Sequence, residues 1–176
     1  MSISKAIIEN LRRKNFAPEE FLKSQKADAS LKDKDPNNDI KNIPNFGQLT
    51  AGLCLADKMQ KLSDAIAKTF GKRLAFNITS GFRCPELNKA VGGAPDSWHI
   101  QFLACDFNIA GLEPHEAVIE LKAVCERDKI SVDKVFVERG CVHMQTNMND
   151  TKNRNFFGSA VKVNGEWIIN DKIEKV

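Results

Sequence analysis

Two histidines and one aspartate carry the clearest chemical signal in this sequence. His99 and Asp106 lie seven residues apart, and His143 follows further along the chain. Imidazole nitrogen and carboxylate oxygen are ligands that zinc prefers, and a catalytic zinc site uses three protein ligands and leaves a further position open. We therefore predict that His99, Asp106 and His143 bind one metal ion, with Zn²⁺ as the cofactor.

The spacing of His99 and Asp106 dictates the local structure that a shared ion requires. In one strand the two residues would lie about 23 Å apart, at about 3.3 Å per residue. On one helix they would lie about 10.5 Å apart, at about 1.5 Å per residue. Metal–ligand bonds of about 2 Å permit neither arrangement. His99 must therefore lie on a loop that folds back over the strand of Asp106, and residues 92–97 are rich in loop-forming residues.

The segment around His143 predicts a β-hairpin. Two β-prone runs, 132–138 and 141–144, flank Arg139-Gly140, a two-residue connection that contains glycine. With these two residues as the turn, Glu138 lies diagonal to His143 on the same face and within side-chain reach. We predict that Glu138 is the catalytic general base beside the metal.

The sequence blocks that contain these residues, taken together, resemble one known family. The matching runs are Thr79-Ser80-Gly81-Phe82-Arg83, Glu86-Leu87-Asn88, Val91-Gly92-Gly93, Ser97-x-His99, Ala104-x-Asp106 and Val142-His143. In this order they resemble the M15 peptidases, which are zinc D-alanyl-D-alanine carboxypeptidases and cell-wall endopeptidases of the Hedgehog/DD-peptidase fold. The resemblance covers about residues 16–146.

The resemblance implies a function and roles for particular residues. It implies His99, Asp106 and His143 as the zinc ligands. It also implies Arg83 as the residue that holds a substrate carboxylate or the developing oxyanion, and we assign Ser97 to substrate binding with it. The implied activity is hydrolysis of peptide bonds next to D-amino acids in peptidoglycan stem peptides. The enzyme would be either a D-Ala-D-Ala carboxypeptidase or a cell-wall endopeptidase, including a phage-type endolysin.

Two positions depart from the family pattern. Phe102 stands three residues after the first histidine, where the family usually has glycine, and this position belongs to a tight turn. Cys141 stands two residues before the last histidine, where the family often has tryptophan, and this change alters the floor of the substrate cleft. Neither departure removes a ligand.

The cysteines support an alternative, a thiol hydrolase that uses either His99 or His143 as its base. Cys105 alternates away from Asp106 along the predicted strand, so we expect it to face the core. Cys141 shares the predicted face of the hairpin. The candidate nucleophiles are Cys84, Cys105 and Cys141.

A second alternative is a non-catalytic wall-binding or structural module that retains the fold and the metal. Glu138 and Arg83 argue against it, because a binding module needs neither a general base nor an anion-binding arginine. Asp133 is a reserve candidate for the base, although its parity sets it on the other strand face. His115 begins a predicted helix and is expected to be exposed rather than a ligand.

Composition limits the remaining classes. The chain of 176 residues fits a single domain over 1–176, with residues 147–176 as a C-terminal hairpin extension. A net charge of +3 is too small to indicate nucleic-acid binding. Five cysteines without a C-x-x-C pair indicate a reducing compartment. No secretory signal or membrane-spanning run is visible, so we expect a monomer made in the cytoplasm that acts on the cell wall.

Hydrophobic periodicity predicts an α+β fold, with a small, mainly antiparallel sheet backed by helices. Predicted helices cover 3–14, 16–22, 46–70 and 85–92, and one more begins at Pro114. Predicted strands cover 74–78 and 103–109, followed by the 132–146 hairpin. A second hairpin turns at Asn164-Gly165, the strongest short hairpin signal. Residues 26–42 are expected to form a surface loop.

Overall fold

The computed structural model describes residues 9–22, 40–164 and 166–176. Half of the helix predicted over 3–14 and most of the loop predicted over 26–42 lie outside these ranges, and residues 10–14 of the predicted helix are not helical. In the first described segment, Pro18–Leu22 forms a 3-10 helix within the predicted range 16–22, and both Phe16 and Phe21 are buried. No helix within the described ranges is long and apolar enough to cross a membrane.

In the part of the chain that the structure describes, six strands form one mixed sheet in the order β1-β2-β4-β3-β5-β6. Their bounds are β1 Phe76–Ser80, β2 Ala104–Ile109, β3 Lys134–Glu138, β4 Cys141–Gln145, β5 Phe156–Val163 and β6 Glu166–Asn170. The expectation of a mainly antiparallel sheet is wrong, because β5 pairs with β3 in parallel. Alternating hydrophobicity identifies a strand and its buried face, but it does not specify the neighbour or its direction.

Within the described ranges three α-helices accompany the sheet: α1 Phe46–Phe70, α2 Pro85–Ala90 and α3 Pro114–Asp128. The predicted bounds of α1 are confirmed. Asn45 and Gln48 form a reciprocal capping box at its start, and Gly71 ends it in the left-handed conformation with φ 65°. Helix α3 packs against β2 to β5, and α1 packs against α3.

The two faces of the sheet have different environments. Cys105 and Phe107 on β2, and Val142 and Met144 on β4, belong to the buried core that includes α1 and α3. The opposite face carries a row of residues across four strands, in which the polar Ser80, Asp106 and His143 lie side by side with Phe136. Ser80 joins this row because the β1–β2 register shifts between Ile78 and Ser80, a bulge that re-aims the end of β1.

The turn predicted between β3 and β4 has the expected geometry. Arg139 has φ 50° and Gly140 has φ 73°. Two consecutive residues with positive φ form the type of turn that matches the twist of a two-residue hairpin. Glu138 pairs with Cys141, so the predicted register of this hairpin is the one observed.

Candidate metal centre

His99, Asp106 and His143 converge from one loop and two neighbouring strands. His99 lies in the turns between α2 and β2, whereas Asp106 on β2 lies directly opposite His143 on β4. The Oδ1 atom of Asp106 is 3.2 Å from Nε2 of His99 and 2.8 Å from Nδ1 of His143. One ligand atom from each residue lies within 4.8 Å of the other two. Three donors of the kinds that zinc prefers are therefore placed so that they could hold one ion.

The loop of His99 is fixed by backbone hydrogen bonds and by a buried aromatic ring. The His99 carbonyl accepts from the N–H groups of Arg83 and Phe102, each at 3.2 Å. Phe102 adopts φ 61°, the left-handed region that favours glycine. Its ring is fully buried and lies 5.3 Å from the ring of Phe82. The tight turn therefore persists without glycine, and burial of the ring offsets the backbone strain.

The ring of His99 is held in one tautomer. Its Nδ1 lies 2.7 Å from the carbonyl oxygen of Gly81. A carbonyl oxygen only accepts, so Nδ1 carries the proton and Nε2 keeps its lone pair for a metal. Burial lowers the pKa of His99, and the nearby charge of Asp106 offsets this effect only in part. The imidazole is thus neutral at neutral pH, the form that a metal ligand requires.

The ring of His143 is held from three sides. Besides its contact with Asp106, it stacks on Phe136 with ring centroids 4.7 Å apart, and its Nε2 lies 3.4 Å from Oε1 of Gln145. Burial opposes a positive charge on His143, but the hydrogen bond to Asp106 and the charges of Asp106 and Glu138 together outweigh it and raise the pKa. The atom that faces the other two ligands is Nδ1.

Asp106 is shared between the two histidines and Arg83. Nη2 of Arg83 donates to Oδ2 of Asp106 at 2.6 Å, and its Nε donates to Oγ of Ser80 at 2.8 Å. Burial alone would raise the pKa of Asp106, but the charge and hydrogen bonds of His99 and His143 hold it well below its usual range. Asp106 is therefore a carboxylate whose Oδ1 atom faces the histidines.

His99, Asp106 and His143 line a cleft of about 270 Å³, which is also lined by Arg83, Ser97 and Glu138. Glu138 is half-buried and lies on the face of β3 and β4 that carries His143. The Ser97 hydroxyl accepts a hydrogen bond from the backbone N–H of His99 at 3.3 Å. Ser97 thus shapes the loop of His99 while facing the cleft. The structure brings every predicted site residue to this one cleft.

The predicted reserve base, Asp133, does not line the cleft. Its buried carboxylate accepts from Nε and Nη2 of Arg154 at 2.7 and 2.6 Å, and from Nε2 of Gln145 at 2.6 Å. A carboxylate held by these donors serves as a structural anchor. His115 is half-buried rather than exposed, and it lies apart from the cleft beside Val137.

Cys105 faces the core and Cys141 faces the cleft, as strand parity predicts. Cys105 is fully buried in the core, and burial raises the pKa of its thiol well above the usual value. Burial also raises the pKa of the Cys84 thiol. Neither group meets the need of a nucleophile for an accessible thiolate. Cys141 lines the cleft, and its Sγ donates to the carbonyl of Glu138 at 3.0 Å.

Lys134 and Gln145 line the cleft, and Ser80 accepts a hydrogen bond from Nε of Arg83, but none of the three was predicted as a site residue. Gln145 lies two residues beyond His143, so strand alternation alone could have placed it on the same face. Lys134 lies four residues before Glu138, an even spacing that likewise places it on the same strand face. No local pattern could have found Ser80, because it reaches the row only through the bulge in β1.

One comparison with known proteins gives a match. A family model described as Peptidase M15 matches residues 14–145, most of the chain, and this range includes all three converging residues. Comparison with curated proteins and with solved structures gives no significant match.

Proposed function

Because this chain belongs to the Peptidase M15 family, we propose that it is a zinc metallopeptidase of peptidoglycan. It would hydrolyse peptide bonds next to D-amino acids, as a D-Ala-D-Ala carboxypeptidase or as an endopeptidase of the endolysin type. The family indicates a metal-dependent peptidase, and its Hedgehog/DD-peptidase fold is part of the proposal. The observation that carries the proposal is the convergence of His99, Asp106 and His143 in a cleft that also contains Glu138.

The donor set fits zinc. Nε2 of His99, the carboxylate of Asp106 and Nδ1 of His143 would hold the ion, in the ligand number of a catalytic site. When bound, zinc supplies Lewis-acid activation of a carbonyl or of water. The hydrogen bonds that the two rings donate to the carbonyl of Gly81 and to Oε1 of Gln145 are the outer contacts that orient such ligands.

Glu138 is the proposed general base. Its carboxylate would accept a proton from the attacking water and then pass it to the leaving amine nitrogen. Proton transfer by a positioned group of this kind is worth about 10²- to 10⁴-fold in rate. The matched hairpin register supports this role, because it sets Glu138 and His143 on one face of adjacent strands.

Arg83 is the proposed anion-binding residue. Its guanidinium has five N–H donors, of which Nε and Nη2 hold Ser80 and Asp106. The Nη1 donors would then bind a substrate carboxylate or the developing oxyanion, a form of stabilisation that counts most when the donors are preorganised. Ser97 lines the same cleft and is the second proposed substrate contact.

The proposal is tested by metal analysis together with mass-spectrometric digestion of purified muropeptides. The wild-type protein should bind about one zinc and release products that identify the bond cleaved. Glu138→Gln should keep its zinc and lose at least about 100-fold in hydrolysis. Glu126→Gln, an exposed change on α3, is the matched control.

Two results would contradict the proposal. Zinc-loaded wild-type protein that cleaves no wall peptide would refute the activity, and wild-type turnover by Glu138→Gln would place the base elsewhere. His99→Ala, Asp106→Ala and His143→Ala should each weaken zinc retention. Wild-type zinc occupancy in all three variants would show that the metal site is wrong.

A further inference from the structure

Lys134 is a cleft cation that the proposed metal site does not use. It begins β3, and its side chain is half-buried and lines the cleft together with Phe136 and Glu138. Across the described parts of the chain, no acidic side chain forms an ion pair or hydrogen bond with its ammonium group. A partly buried ammonium without a counter-ion is uncommon, because desolvation of an unpaired charge is costly.

The surroundings of Lys134 favour an anion. Asp133, the carboxylate whose charge acts on Lys134, is already bound by both Arg154 and Gln145. Burial, with the charge of Arg154, lowers the pKa of Lys134, and Asp133 offsets this only in part. An anion placed beside the ammonium would relieve both the desolvation and the repulsion between the two cations.

The strand register gives the distance between Lys134 and the metal ligands. Phe136 lies opposite His143, and Lys134 lies opposite Gln145, one step further along the same strand face. Two residues of strand span about 7 Å. Glu138 lies the same distance from Phe136 in the other direction. An extended peptide advances about 3.3–3.6 Å per residue, so a group one or two residues from the scissile bond would reach Lys134.

We propose that Lys134 forms a carboxylate-binding subsite, which selects peptides with an acidic group one or two residues from the scissile bond. This inference rests on the proposed function, because it takes the scissile bond to lie beside His143. In a wall peptide the candidate groups are the free carboxylates of D-glutamate and of diaminopimelate. A lysine ammonium binds a carboxylate as a point charge, so arginine should retain the selection and methionine should abolish it.

The test uses zinc-loaded protein and two pairs of muropeptides. Within each pair the peptides differ only in one carboxyl group, of glutamate or of diaminopimelate, which is either free or amidated. Both kcat/KM and Kd are measured for the wild-type protein, Lys134→Met and Lys134→Arg. Lys72→Met, an exposed change outside the cleft, is the matched control.

The wild-type protein and Lys72→Met should prefer the free acid of one pair by about tenfold, the ratio that 1.4 kcal/mol gives. In Lys134→Met this ratio should fall to about one, and Lys134→Arg should keep most of it. Equal treatment of acid and amide by the wild-type protein would overturn the subsite. So would a full acid preference in Lys134→Met.

The binding measurement separates this inference from the activity. Selective binding of the acid that Lys134→Met loses, without hydrolysis of any peptide, would sustain the subsite and refute the proposed peptidase. Hydrolysis with an acid preference that Lys134→Met retains would sustain the proposed peptidase and refute the subsite.

Discussion

Different partners orient the two histidine rings of the metal centre, so that opposite ring nitrogens face Asp106. The Gly81 carbonyl accepts from Nδ1 of His99, which leaves Nε2 to face Asp106. The side-chain oxygen of Gln145 lies next to Nε2 of His143, which leaves Nδ1 to face the same carboxylate. The amide of Gln145 can adopt only this orientation, because its nitrogen must donate to the carboxylate of Asp133.

The role of Gln145 can be tested by substitution with methionine, which keeps the length of the side chain and removes both hydrogen bonds. We expect Gln145→Met to bind zinc about 10- to 100-fold more weakly, because the outer contact that orients His143 is lost. The measurement is a competition titration with a chelator of known affinity.

Gln101→Met is the control for this experiment, since Gln101 is exposed in the loop of His99. Circular dichroism of both variants checks that the fold is retained. Equal zinc affinity in the two variants would show that the orientation of His143 does not depend on Gln145.

For single residues, a position in the site could be predicted where it depends on residues close by in the sequence. Strand parity and the Arg139-Gly140 turn are enough to place Glu138 on the face of His143. The contact between Arg83 and Asp106 spans 23 residues and depends on the bulge at the end of β1. A bulge leaves no regular trace in hydrophobic alternation, so this contact was not predictable.

At the scale of elements, the 3-10 helix Pro18–Leu22 holds the loop that orients His99. The Phe21 carbonyl accepts from the N–H of Phe82 at 2.8 Å. A Cβ atom at Gly81 would lie 2.0 Å from this carbonyl oxygen, far inside contact distance. The approach of the two backbones therefore requires glycine at this position.

Gly81→Ala should separate the loop from this helix and displace the carbonyl that binds His99. We expect a loss of about 2–3 kcal/mol in the free energy of unfolding, similar to an overpacked core site, and weaker zinc retention. Gly47→Ala is the matched control, because its Cβ would meet only an ordinary contact at 3.4 Å. Alanine in α1 should leave stability unchanged or raise it slightly. A Gly81→Ala protein as stable as Gly47→Ala would contradict this interpretation.

The elements themselves were predictable to different degrees. Helix α1 has apolar residues at helical spacing, an asparagine cap and a terminal Gly71. Its first and last residues can therefore be predicted from the residues nearby in the sequence. Asn164-Gly165 predicts a tail hairpin without bounds for its strands, and in the structure β5 begins at Phe156. Its parallel place beside β3 follows from the path of residues 146–155 and from packing, neither of which a periodic pattern encodes.

At the scale of the whole molecule, the tail is tied to the metal centre by a chain of polar contacts. Arg154, just before β5, binds Asp133 at the start of β3. Asp133 binds Gln145, and Gln145 contacts His143. The family match ends at residue 145, so Arg154 supports the site from outside the matched range.

The link between Arg154 and Asp133 makes a specific contribution to stability as a function of pH. Burial would raise the pKa of Asp133, but its hydrogen bonds to Arg154 and Gln145 outweigh burial and lower it. A carboxyl whose pKa is lower in the folded state stabilises the fold above its unfolded pKa, about 3.9, and this contribution disappears as the pH falls through the folded value.

The free energy of unfolding of Arg154→Met should therefore be about 2 kcal/mol lower than that of the wild-type protein at neutral pH, the range of a hydrogen bond to a charged group. The difference from wild type should narrow below about pH 4 and vanish only below the lowered folded pKa of Asp133, where the carboxyl of the wild-type protein is also protonated. Urea unfolding at a series of pH values measures this difference.

Asp133→Asn provides the control, since Arg154→Met should add little destabilisation in that background. A difference between Arg154→Met and wild type that stays constant down to about pH 2 would show that the ion pair is not its source.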